Sequence, residues 1–323
     1  YLKTIHSVTN IQCYNSKVLL RVIVIFLVID LSRRVESELN GSSRKKHLAN
    51  VTLTSFDTNR ASLGTLKHHV FIYRLYDKWN LLYRSFCTGS IITEERVLTS
   101  AHCFLTNRKR LKRGLHEIRV VGGILHTLTQ QPLSHDIQQW RNVKRTHSQR
   151  FFRFPAYNLA IIVVSKKWEF NQFVNKIPYA LKNQDFDGIC MGVVLKPTRS
   201  WSTDKSLYTT DLKIHKQSSC EQKLLRCCWQ YYCTEYDSRL SSTEAEGAGL
   251  ICFGTGDPAE DEQQGLLVGV TSVMYRGLPS LHVKVGLFNK WVTDAASKYS
   301  FNVYFCIVLL VMGNKLINFY LKN

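Results

Sequence analysis

The sequence predicts an all-β fold of sandwich or barrel type, closed by one C-terminal helix. Three observations lead there. Short apolar or alternating runs recur between polar turns from about residue 65 to about residue 298, which is the spacing of an all-β sandwich or barrel. Apolar residues make up 45% of the chain, enough to fill a core and to exclude general disorder. Ten cysteines without a Cys-x-x-Cys pair speak against a ribbon or finger zinc site and for disulfides in an oxidising compartment.

In chain order the runs are His69 to Leu75, Phe86 to Ile92, Arg96 to Ala101, Glu117 to Val121, Leu159 to Val164, Met191 to Leu195, Leu250 to Phe253 and Leu266 to Val273. Val, Ile, Leu and Phe dominate them, and each is short, as buried strands are. One stretch breaks the pattern. Leu287, Trp291, Val292 and Ala295 fall at helical spacing, so Leu287 to Lys298 is predicted as a helix. No repeat of solenoid period interrupts the series.

The two ends differ from this region. Lys17 and Arg21 precede the apolar run Val22 to Ile29, and Ser37 offers a small residue for cleavage, the pattern of a secretory signal. Asn40-Gly41-Ser42 and Asn50-Val51-Thr52 follow in a polar stretch and make Asn40 and Asn50 candidate glycosylation sites. Tyr304 to Met312 is apolar but too short to span a bilayer, and a basic tail follows it. The expected layout is an extension with signal peptide over 1–37, a polar linker over 38–64, one folded region over 65–298 and a tail over 299–323. Lys plus Arg exceed Asp plus Glu, 43 against 24, which gives a net charge of +19. That balance favours contact with anionic surfaces and says nothing of fold.

Phe86-Cys87-Thr88-Gly89-Ser90-Ile91-Ile92, followed by Val97-Leu98-Thr99-Ser100-Ala101-His102-Cys103, resembles the chymotrypsin/trypsin family of serine proteases. Tyr157-Asn158-Leu159-Ala160-Ile161-Ile162 continues the resemblance, as do Gly247 to Cys252, Val268 to Ser272, Pro279 to Val285 and the helix at Trp291. It implies two packed six-stranded antiparallel β-barrels with a C-terminal α-helix and a cleft between the barrels. It also implies disulfides joining Cys87 to Cys103, Cys190 to Cys252 and Cys220 to Cys233. Cys227, Cys228, Cys13 and Cys306 remain over, which leaves an intermolecular thiol open.

Hydrolysis in this family needs a serine nucleophile, a histidine that takes its proton, an aspartate that orients the imidazole, and backbone donors for the oxyanion. By the resemblance His102 keeps the histidine position. Asn158 stands at the aspartate, and counting back from Cys252 puts Glu246 at the serine and Ala245 at the preceding aspartate that receives the activated amino terminus. The specificity pocket is altered too. Leu240 falls at its floor, Met274 closes the segment that is Ser-Trp-Gly in the family, Ser280 replaces the glycine after Pro279, and Val194-Leu195-Lys196 replaces Gly-Trp-Gly. Glu246 is expected within salt-bridge reach of His102, which would close the vacant site.

The resulting expectation is a secreted, trypsin-like but catalytically inactive chain, similar to the non-catalytic serine protease homologues of insects. It would act by binding an extracellular protein (a protease, an inhibitor or a receptor) or an anionic glycan. Arg108, Lys109, Arg110, Lys112 and Arg113 form the candidate anion-binding patch. No cofactor, metal, nucleic acid or membrane span is expected. The alternative is an active serine endopeptidase whose nucleophile lies elsewhere, with Ser238, Ser241 and Ser242 nearest.

Overall fold

Strand β1 (Thr58–Arg60) opens the chain's regular structure, followed by β2 (His69–Asp77), β3 (Leu82–Thr93), β4 (Arg96–Thr99), β5 (Ile118–Gly122), β6 (Leu128–Gln130), β7 (Gln139–Ser148) and β8 (Ala160–Val164). The second half holds β9 (Ile189–Pro197), β10 (Lys205–His215), β11 (Tyr231–Thr234), β12 (Gly249–Cys252), β13 (Leu266–Val273) and β14 (Ser280–Lys284). Helix α1 (Gln217–Leu224) lies between β10 and β11, and α2 (Asn289–Ser297) ends the series. The computed structural model describes residues 58–130, 137–186, 188–199, 202–224, 227–235, 245–274 and 278–297. The signal segment, Asn40, Asn50, Leu240, Cys13, Cys306, the nearby serines and the tail lie outside them.

The strands close into two antiparallel rings. The first runs β2-β5-β7-β8-β4-β3 and returns to β2, with β6 added on β3. The second runs β9-β10-β11-β14-β13-β12 and returns to β9, with β1 added on β10. These are the two six-stranded barrels that the resemblance implies, each carrying one further short strand. One boundary differs from expectation: Thr58–Arg60, inside the segment read as linker, pairs with Tyr208–Thr210 of the second barrel.

Burial explains why the strands read as unbroken apolar runs. Along β2, Val70 and Ile72 belong to one buried cluster with Val97, Val120 and Ile162, all of the first barrel. The intervening Phe71 and Tyr73 belong to another, shared with Val193, Leu195 and Leu207 of the second barrel. Ile161 and Leu98 likewise meet Leu267 and Val270 across the junction. Side chains alternate between the faces of a strand, and here one face fills a barrel while the other fills the seam between barrels. Along Val70–Tyr73 neither face is left polar. The seam is where the candidate site lies, at the ends of β4, β8, β12 and β13.

Three disulfides join the expected pairs. Cys87 bonds Cys103, Cys190 bonds Cys252, and Cys220 bonds Cys233. Cys227 is disulfide-bonded as well.

Candidate functional site

His102 sits in a 3-10 turn, Ala101–Cys103, directly after β4. Two ties fix the turn: the Cys87–Cys103 disulfide behind it, and the Ser100 hydroxyl, which donates to the Thr271 carbonyl of the second barrel at 2.8 Å. Asn158 precedes β8 and is fully buried. Glu246 precedes β12, and the Thr88 N–H donates to its carbonyl at 2.9 Å. The next residue must be glycine. Gly247 has φ +93°, and a Cβ there would lie 2.1 Å from the Thr88 carbonyl oxygen.

These elements bring His102, Asn158 and Glu246 into one chain of hydrogen bonds. The His102 backbone N–H donates to Asn158 Oδ1 at 2.9 Å. That bond settles which way the amide points. Asn158 Nδ2 then donates both its hydrogens, to His102 Nδ1 at 2.8 Å and to Ser272 Oγ at 2.8 Å. With Nδ1 accepting, the ring proton belongs on Nε2, and Nε2–H donates to Glu246 Oε2. The expected contact between Glu246 and His102 is present, in a pocket where their side chains are 14% and 16% exposed. In this network Asn158 selects the tautomer.

Two further groups complete the site. Lys112 Nζ donates to the His102 carbonyl; burial lowers its pKa, while the Glu246 charge works in the opposite direction. The Phe154 ring packs against the imidazole with centroids 5.0 Å apart. The sequence places Lys112 only within the candidate anion-binding patch, which carries no sign of this contact. A reach of ten residues around the Leu105–Leu111 bridge brings it back, which no local pattern signals. Lys109 is also engaged, donating to the Arg150 carbonyl, and Arg113 lies over the Phe86 ring at 5.5 Å. Arg108 and Arg110 are exposed.

The positions expected around a substrate pocket are filled or apolar. Ala245 is fully buried in the seam cluster with Phe71, Tyr73 and Leu207. Met274 packs against the same cluster, and Leu195 is part of it. Ser280 is buried in β14 opposite Thr234. Among the described residues two groups of three donors lie close enough to hold a metal, Cys87–His102–Cys103 and Cys220–Cys228–Cys233. In each, two of the cysteines are joined to one another, so neither offers three ligands as it stands.

The trypsin family model matches residues 65–292, more than half of the chain. The chain belongs to the trypsin family. Trypsin-2 of Salmo salar is 24% identical over 225 residues, covering 66% of this chain and 86% of that protein. Kallikrein 1-related peptidase b3 of Mus musculus is 23% identical over 240 residues, covering 71% of this chain and 85% of that protein. Among solved structures, a mutant of human heparin binding protein (CAP37) superposes with a TM-score of 0.54 at 17% identity, covering 75% of this chain and 96% of that one. At that identity the likeness speaks for the fold. In this trypsin-family fold His102, Asn158 and Glu246 share one chain of hydrogen bonds at the seam between the barrels.

Proposed function

We propose that this chain is a non-catalytic member of the trypsin family, secreted, which acts by binding a protein or an anionic glycan. The observation that carries the reading is the Glu246 carboxylate on His102 Nε2, the atom that must accept the nucleophile's proton during hydrolysis. A carboxylate at that position has no hydroxyl to make an acyl-enzyme ester. The imidazole proton is already on the wrong nitrogen for a general base, because Asn158 donates to Nδ1. Ala245 and Met274 support the same reading, since the amine-receiving charge and the bare pocket wall are gone.

Disulfides at Cys87, Cys190 and Cys220 support an oxidising, extracellular setting. Arg108 and Arg110, exposed on the loop after His102, support an anionic partner. So does the likeness to a protein described as heparin binding. The test is labelling of the purified protein with a fluorescent fluorophosphonate beside an active trypsin. No labelling is expected. Stoichiometric labelling would overturn the reading and place a reactive serine outside the residues described above.

A further inference from the structure

Where β2 ends and β3 begins, the first barrel carries arginines stacked on aromatic rings. Arg74 of β2 lies directly opposite Arg84 of β3. Tyr76, two residues along β2, holds its ring 4.2 Å beneath the Arg84 guanidinium. Phe86, two residues along β3, holds its ring 5.5 Å from the guanidinium of Arg113. Arg113 in turn lies in the field of Arg74: burial lowers its pKa first, and the Arg74 charge lowers it further.

Like charges directly opposite on neighbouring strands destabilise a sheet. The acidic groups at this face do little to relieve them. Glu117 attends Arg113, and Asp77 is committed to the hairpin turn, accepting from the N–H of Trp79 and Asn80 and from the Asn80 amide. Stacking occupies the flat faces of the Arg84 and Arg113 guanidinium groups and leaves their N–H edges outward. Among the described residues, none of the three guanidinium groups has a hydrogen-bond acceptor. Arg74 and Arg84 stand side by side on neighbouring strands roughly 4.8 Å apart, and Trp79, 96% exposed, lies at the tip of the same hairpin.

We propose that this face is a binding site for a linear sulfated glycan, whose sulfate groups take the N–H edges of Arg74, Arg84 and Arg113. The proposal rests on the reading of the chain as a binding protein and names its partner. A row of forked donors matches a chain of tetrahedral anions. Tyr76 and Trp79 stay exposed beside the row, so an acidic protein is the competing occupant that the poly-glutamate arm of the test addresses.

The experiment is titration of the purified protein with a heparin-derived octasaccharide, read by tryptophan fluorescence and calorimetry at two salt concentrations. Arg74→Gln/Arg84→Gln is expected to weaken binding about tenfold or more and to flatten its salt dependence; Arg108→Gln/Arg110→Gln is expected to weaken it less. Trp79→Phe should remove most of the fluorescence signal and leave the calorimetric binding. Because the opposed arginines repel, the double variant should melt no lower than the parent, and Arg113→Gln provides an independent weakening. Equal binding by the parent and all arginine variants would overturn the site, as would tighter binding of poly-glutamate or of phosphatidylserine vesicles than of the octasaccharide. Absence of glycan binding, with fluorophosphonate labelling also absent, would overturn this site and leave the non-catalytic reading standing.

Discussion

Placing a serine at Glu246 should not create a protease, and the reason is Asn158. In the Glu246→Ser variant a hydroxyl would face His102 Nε2, but Nε2 carries the proton while Asn158 Nδ2 donates to Nδ1. To serve as base the ring must move that proton to Nδ1, which sets two donors against each other in a site where Asn158 is fully buried. Turning the amide over does not help, because Oδ1 would leave the His102 N–H. Leaving two buried donors unpaired costs about 1–3 kcal/mol each, so about 2–6 kcal/mol for the pair. At about 1.4 kcal/mol per decade this is roughly 30-fold to 25,000-fold in rate. The Asp→Asn change in this family's triad costs about ten-thousandfold, inside that range.

The assay is the rate of fluorophosphonate labelling of Glu246→Ser with and without Asn158→Asp, with ¹⁵N NMR of the imidazole in the parent to read the tautomer. The aspartate should accelerate labelling by at least about 30-fold, because it accepts from Nδ1–H and frees Nε2. Both variants should stay far slower than an active trypsin, since Ala245 and Met274 are unchanged. Equal rates for the two variants, or a proton found on Nδ1 in the parent, would refute the reasoning.

Two further outcomes follow from buried groups. Burial pushes the pKa of His68 to about 4, of His69 to about 3, with His68 lowering it further, and of His282 to about 4. The unfolded chain, with histidines near 6.5, therefore binds more protons below that pH, and stability falls as pH drops from about 6.5 towards 4. At pH 5 the loss is about 2 kcal/mol per histidine and about 6 kcal/mol at most for all three, a large part of an ordinary domain's stability; a urea midpoint independent of pH between 7 and 5 would contradict it. Gly247→Ala should destabilise by roughly 3 kcal/mol or more, since φ is +93° and the added Cβ would lie 2.1 Å from the Thr88 carbonyl. Denaturant unfolding checks this, and a loss below about 1 kcal/mol would mean that the Glu246 turn relaxes easily.

Some elements were legible in the sequence and others were not, for identifiable reasons. The runs at His69, Phe86, Arg96, Leu159 and Leu266 became β2, β3, β4, β8 and β13, because strands buried on both faces read as near-continuous apolar segments. Strands β7 and β10 carry no such apolar run. Arg145 and Lys213 lie among their polar positions, and their alternation is broken by residues that are half-buried rather than inside or outside. Helix α1 was missed because only Cys220 is buried on it, which leaves no apolar stripe to detect.

What the sequence determined by itself is the frame. Ala101-His102-Cys103, Tyr157 to Ile162 and the count back from Cys252, read through the family resemblance, named the three residues that meet in the seam. Spacing along the chain cannot give the direction of an amide or the return of a distant lysine. Those depend on contacts between groups far apart in sequence: Asn158 and Ser272 are separated by 114 positions and His102 and Glu246 by 144. Pairing of β4 with β8 set Asn158 against His102, the Leu105–Leu111 bridge seated Lys112 on the His102 carbonyl, and closure of the two barrels brought Ser272 and Glu246 to the same site. Closure of the first barrel placed Arg74 opposite Arg84, because register is a property of paired strands and neither strand alone carries it.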